Sequence, residues 1–424
     1  MHVAVLLADC AGTLEVSNRI ELRGRETENP PAAAGTSAAA SLPNPGVDLL
    51  DVPTVHLELK QHSWDTTMGY TAFAIIPDLE TGQPIPQILQ TASIGEVWHD
   101  RTIRIGIFES GQYGGENSAY LSSPSSPVTS ASLTPGAPAP VTGTPGVQAL
   151  ANPATLHFGS SRTDLTSQVT VSRRWVETNL IEYAVQGGTD AASRAILPVV
   201  YGPRAEATVR YSASRIDAAE TSVSGAHSDS TSGACFPALI NPLPAGSICE
   251  PTGDTLQATE TWRHHFTRQS EAWLGAGPAV VAARLRPSSA YEDAVYPAVL
   301  AGFQYKRSVE HVRTVLRFDA QIAPLVDVRS GIVDDRAQGI LTLQVPLRDV
   351  NVLGGLSATR SVASLLSQPV SAVRGSVEVE VKLDPELSVG AGVRYAWQEQ
   401  TGFGAFSSGL AFIQATFHGT DIRF

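Results

Sequence analysis

Segment after segment of this chain alternates apolar and polar side chains with a period of two, and nothing else limits its possible folds as strongly. Residues 375–397, "GSVEVEVKLDPELSVGAGVRYAW", are the clearest case. Val377, Val379, Val381 and Leu383 share one side of the first arm, opposite Glu378, Glu380 and Lys382. In the second arm Leu387, Val389, Val393, Tyr395 and Trp397 oppose Ser388, Gly390, Gly392, Arg394 and Gln398. Side chains on a strand alternate between its faces, so this is a hairpin with one apolar and one polar face, turned at Asp384-Pro385-Glu386. A soluble two-layer sheet uses such hairpins with the apolar face in its core. A membrane barrel uses them with the apolar face in lipid and the polar face toward a wet lumen.

The order of the segments separates these alternatives. About 18 strand-like segments run to the C-terminus, at 12–25, 53–61, 64–76, 86–98, 102–112, 160–172, 175–186, 203–213, 217–228, 255–266, 270–284, 294–306, 309–323, 336–346, 349–360, 371–383, 387–398 and 408–418. Tight turns such as "ASRID", "TRQS", "LRD" and "DPE" follow the even-numbered segments, and longer connections follow the odd-numbered ones. A barrel whose two chain ends lie on one side of a membrane predicts this alternation, with short turns on the periplasmic side and longer loops outside. A sandwich or propeller gives no reason for it, and no blade-length repeat is present. The two longest connections, 26–52 and 113–153, are rich in Pro, Ser, Ala and Gly; the second is nearly uncharged and reads as a low-complexity outer loop.

Composition agrees. No apolar run approaches the roughly 18 residues that a membrane-spanning helix needs. A net charge of -12 and the lack of a basic cluster argue against a nucleic-acid partner. Cys235 and Cys249 flank "CFPALINPLPAGSIC" in a loop-like segment, which predicts a disulfide and an oxidising compartment. Residues 1–11, with the short apolar run Val3 to Ala8, read as the remnant of a secretory signal peptide, which leaves 12–424 as one barrel domain. Trp64, Trp98, Trp175, Trp262 and Trp273 fall at or near the tight turns, where amphipathic rings suit a membrane interface.

The chain ends "GLAFIQATFHGTDIRF", an amphipathic segment closing on Phe424. In this ending and in its whole architecture it resembles bacterial outer-membrane β-barrel (porin-like) proteins, many of which finish in an amphipathic strand with a terminal aromatic. The resemblance implies a place in the outer membrane, surrounded by its lipid. It also implies recognition of the C-terminal strand by the barrel-assembly machinery. Oligomers are compatible with it.

Charged residues on the polar sides of the strands are the expected lumen lining: Arg19, Glu21, Arg23, Lys60, Arg104, Arg210, Arg313, Arg317, Asp319, Arg374, Glu378, Glu380, Lys382 and Arg394. A charge in hydrocarbon costs a few kcal/mol, so these side chains belong inside, where they either brace the wall as a salt-bridge lattice or select among solutes. Their mixed signs imply no strong ion preference. Catalysis is not expected. His99-Asp100 and Asp334-Asp335 resemble elements of omptin-type proteases, but the topology sets them at opposite ends of the wall, on the order of 25 Å apart. His264, His265 and His311 have no Ser partner singled out by spacing. The expected activity is therefore a passive channel for small polar solutes, without metal or other cofactor. The alternative is a structural or adhesive barrel with a blocked lumen and functional outer loops.

Overall fold

A computed structural model describes residues 11–28, 46–76, 87–100, 103–114, 162–174, 181–194, 199–235, 243, 246–309, 312–327, 332–366, 369–400, 404–419 and 422–423. The chain is all β. In order, its long strands are β1 (Ala11–Glu28), β2 (Gly46–Lys60), β3 (Trp64–Ile76), β4 (Gln87–His99), β5 (Ile103–Gly114) and β6 (Arg162–Arg174). Then follow β7 (Ile181–Arg194), β8 (Val200–Ser212), β9 (Asp217–Ser230), β10 (Thr252–His265), β11 (Ser270–Arg284) and β12 (Glu292–Val309). The last six are β13 (Val312–Asp327), β14 (Ile332–Leu347), β15 (Val350–Ser364), β16 (Val370–Lys382), β17 (Leu387–Gln400) and β18 (Gly404–His418). Each pairs antiparallel with the next, and β1 pairs with β18 from Ser17↔His418 to Glu28↔Ser407, which closes an eighteen-strand barrel. Ile422–Arg423 adds a short pairing to Leu14 and Thr13 of β1.

The tight turns after even-numbered strands form for a local reason. In three of them an oxygen of an early turn residue accepts two backbone N–H groups that would otherwise lack partners: Asp384 Oδ1 from Glu386 and Leu387 (2.8 and 2.7 Å), Ser214 Oγ from Ile216 and Asp217 (3.1 and 2.9 Å), Thr267 Oγ1 from Gln269 and Ser270 (3.1 and 3.0 Å). Short Asp, Ser and Thr side chains do this well because they reach their own backbone two and three residues on.

The facing is as the alternation predicts. Val377, Val379, Val393 and Tyr395 are exposed on the outer surface, whereas Glu378, Ser388, Arg394 and Gln398 are buried inside. Around the barrel the exposed row is mostly apolar, including Val16, Ile20 and Leu22 of β1 and Leu341 and Leu343 of β14. That belt spans a membrane, since apolar area left bare to water is unfavourable at roughly 25 cal/mol per Å².

Several details differ from the sequence expectation. β1 begins at Ala11, the last residue of the expected segment 1–11, and Tyr113 and Gly114 belong to β5, not to a loop. β2 begins at Gly46, inside the expected loop 26–52. β7 lies at Ile181–Arg194, displaced from 175–186. The outer connections after β7, β13, β15 and β17 are only a few residues long, because these strands continue through what reads as loop. Residues 1–10, Trp175, His311, Phe424 and most of 113–153 lie outside the described residues.

Candidate functional site

The lumen is the natural place to look for function, and its walls divide by chemistry. On one side, β16, β17, β18 and β1 bring a charged lattice together around Glu21. Arg19 Nε lies 3.1 Å and Arg23 Nη2 2.6 Å from its carboxylate, and Nη1 and Nη2 of Arg394 both reach it at 3.2 Å. Arg394 Nη2 also lies 3.6 Å from Glu378, which accepts a 2.6 Å hydrogen bond from Gln414 Nε2. The Arg394 guanidinium rests 4.0 Å above the Phe412 ring. Arg25 and Asp48 continue the lattice at 2.9 Å onto β2, and Glu380 bonds Ser388. Arg374 is buried on the same inward row of β16. Period two places these groups inside, and antiparallel register stacks them side by side.

The opposite wall carries hydroxyls. Ser222, Ser224, Ser228 and Ser230 of β9 and Thr255, Thr259 and Thr261 of β10 are all inward and buried. Ser222 donates to Glu206 at 2.8 Å and Ser230 to the Pro251 carbonyl at 2.7 Å. β9 and β10 lie half a turn of the barrel from β18 and β1, so hydroxyls face the charged lattice across the lumen. Four of the five alternate residues of "SVSGAHSDS", all but Ala226, bear the signal for this wall, but the charges alone do not reveal it.

The other expected lining residues fall as follows. Arg210 is inward, in register with Glu182 and Glu220. Arg317 pairs with Asp319 at 2.6 Å. Arg104 is inward on β5. Lys60 and Lys382 are exposed at the rim, Lys60 2.9 Å from Glu58. The Arg313 side chain lies outside the described residues. Trp273 corrects the interfacial reading. It is inward and buried, with Arg263 and Arg317 at 5.0 and 5.9 Å from its ring, and it lies flat against Gly302, where any Cβ would stand 2.2 Å from the indole. His264 pairs with Asp217 at 2.8 Å and His265 with Glu271 at 3.4 Å, both by a tight turn. His99 ends β4 on the turn side of the barrel, whereas Asp335 lies near the loop side.

The lumen is not uniformly wet. Glu21 and Arg23 have no solvent exposure, so the lattice is packed on itself, not bathed in open water. Toward the loop side, two apolar clusters point inward. One joins Leu50, Val52, Phe73, Ile75, Leu89, Leu410 and Phe412. The other joins Val200, Val281 and Val333, from strands that are not neighbours, with Tyr296 and Leu365 against it. Above it sits the loop between β9 and β10. Cys235 and Cys249 are disulfide-bonded there with Cα atoms 4.8 Å apart, and Cys235 and Leu243 pack against Leu366 and Ala283. This loop covers part of the mouth.

One wall is also pushed inward. A β-bulge inserts Val362 opposite the Asp335/Arg336 step, and Asp335 and Arg336 are both buried in succession. Bulges bend and twist the strand pair that carries them. Here β14 approaches β10 so closely that a Cβ on Gly253 would stand 2.7 Å from Val333 Cγ2.

Among curated proteins none matches the sequence. Among solved structures, the chain is similar to the FrpB iron transporter of Neisseria meningitidis, with 9% identity, 93% of this chain and 66% of that chain covered, and a TM-score of 0.42. It is similar to the copper transporter OprC, with 8% identity, coverage of 92% and 64%, and a TM-score of 0.43. It therefore spans less than two thirds of the length of either transporter. The outer-membrane protein OpdK of Pseudomonas aeruginosa is similar over 96% of this chain and 99% of its own, with 7% identity and a TM-score of 0.37. Residues 6–394, nearly the whole barrel, match one family model, so the chain belongs to the EpsX exopolysaccharide export family.

Proposed function

We propose that the barrel lies in the bacterial outer membrane and forms the passage by which exopolysaccharide leaves the cell, with the polymer, and also small polar solutes, moving passively through the lumen. The observation that carries this reading is the facing of the Ser/Thr wall of β9 and β10 toward the Arg/Glu lattice of β16 to β1. A sugar hydroxyl both donates and accepts, and a hydroxyl wall offers it both partners. The arginines and carboxylates of the lattice are ion-paired with one another, so a polar chain meets many weak partners and no single exposed charge that would act as a deep ionic trap, which a conduit requires. Insertion is proposed to proceed through the barrel-assembly machinery, with the amphipathic β18 as the recognised strand. In cells lacking this chain, exopolysaccharide should accumulate in the periplasm, and expression of the chain should restore its release. Unchanged release without the chain would exclude the reading.

A second reading has its own support. The Val200–Val281–Val333 cluster and the disulfide loop above it favour a barrel whose lumen stays shut and whose outer surface is the functional part. Planar-bilayer recording separates the two. A conductance that increases when the disulfide is reduced fits a passage with a cover. Silence under both conditions fits the shut barrel.

A further inference from the structure

The inward displacement of β14 leaves a groove on the other side of the wall, facing the membrane. It has a volume of about 740 Å³, within the about 300–1,000 Å³ range of built ligand clefts. Its floor is small: Ala320, Ala337, Gly339 and Ala358 come from three consecutive strands. Trp397 edges it. All are on the outward row of their strands, so hydrocarbon, not water, adjoins them.

The rim is polar. Arg360, Ser371 and Glu399 lie on the loop side of the groove, and the register sets them in one lateral row across β15, β16 and β17 (Arg360↔Ser371, Ser371↔Glu399). Arg360 and Glu399 are exposed and outward, and neither forms an ion pair with a described residue. Adjacent strands stand about 4.8 Å apart, so a cation and an anion face the membrane about 10 Å apart with a hydroxyl between them. Charge on the lipid face of a barrel is costly except at headgroup level or against a charged partner. An arginine fork suits a phosphate, and a carboxylate suits an ammonium.

We propose that this groove binds a glycerophospholipid with a zwitterionic ethanolamine headgroup. Its phosphate is held by Arg360 and its ammonium by Glu399, the Ser371 hydroxyl lies between, and its acyl chains lie on the Ala/Gly floor beside Trp397. The site is separate from the lumen and does not depend on the identity of what the lumen carries.

Native mass spectrometry of the folded barrel in mild detergent tests this, after delipidation and addition of dioleoylphosphatidylethanolamine, dioleoylphosphatidylglycerol or lipopolysaccharide in separate and paired competitions. The expected result is one retained phosphatidylethanolamine per barrel, favoured about fivefold or more over phosphatidylglycerol. Arg360→Ala should weaken both by about tenfold. Glu399→Gln should remove the preference between them. Ala337→Phe, which fills the floor on an outward position, should abolish retention while the folded band on a heat-modifiability gel is unchanged. Equal retention of the two lipids by the unmodified chain would overturn the proposal. So would a preference for phosphatidylglycerol or lipopolysaccharide, or full retention by Ala337→Phe.

Discussion

Gly253 of β10 and Val333 of β14 meet although three strands separate them, with Val333 Cγ2 2.7 Å from where a Gly253 Cβ would stand. Only glycine allows this approach without displacing one wall. Gly253→Ala should therefore destabilise the barrel by about 1–3 kcal/mol, the usual cost of overpacking. The same substitution in a Val333→Ala background should cost less than about 0.5 kcal/mol, because the two sites share one space. Urea unfolding in lipid vesicles provides both numbers. Additive effects would show that the walls do not touch.

Glu21 holds Arg19, Arg23 and Arg394 together without solvent. Removing the shared partner leaves buried positive charge uncompensated, which costs about 3–5 kcal/mol. Glu21→Ala should show that loss in vesicle unfolding. A change below about 1 kcal/mol would mean that water reaches these arginines, as at an exposed pair.

The facing of the wall is open to a paired test on β16. Val379→Arg puts a charge into mid-membrane hydrocarbon and should destabilise by about 2–4 kcal/mol. Lys382→Glu, on the exposed rim of the inward row, should change stability by less than about 0.5 kcal/mol. Glu378→Arg, by contrast, is not neutral despite its inward position: it would set a second guanidinium against Arg394 and remove the acceptor of Gln414. Equal tolerance of Val379→Arg and Lys382→Glu would remove the basis for the facing.

Cys235 and Cys249 close a loop across 14 positions. Loop entropy of that length corresponds to about 3 kcal/mol. Replacing both by serine should loosen the mouth cover and raise single-channel conductance. On intact cells, a membrane-impermeant maleimide should label these positions only after a reductant is added. Prompt labelling without reductant would show two free thiols.

Strand order, turn positions and facing were legible because hydrophobic periodicity and turn chemistry are local. The missed start of β2 shows where that logic stops. In "GVDLLDV" the inward residues Leu50 and Val52 are as apolar as the outward Leu49, because this part of the lumen wall packs against Phe73, Leu89 and Phe412 instead of water. Period two is invisible when both faces are apolar. Trp273 was placed by its distance from a turn, but its parity, not its depth, decides its side. The charged half of the lumen could be read from Arg19 to Arg394. The hydroxyl half could not, since Ser and Thr are equally at home in turns, on surfaces and in lumens. The contact of β10 with β14 depends on a bulge and a glycine whose effect appears only when the barrel closes.

The claim that the lumen carries the exported polymer is tested most directly by obstructing it from inside. Ser224 is buried on the inward row of β9, and its neighbour Val223 is exposed on the outward row. In a chain whose Cys10 is replaced by serine, Ser224→Cys and Val223→Cys can each be modified with a bulky maleimide and extracellular exopolysaccharide measured. Modification at position 224 should stop release and trap polymer in the periplasm, while modification at 223 should leave release unchanged. Undiminished release with position 224 fully modified would contradict the account.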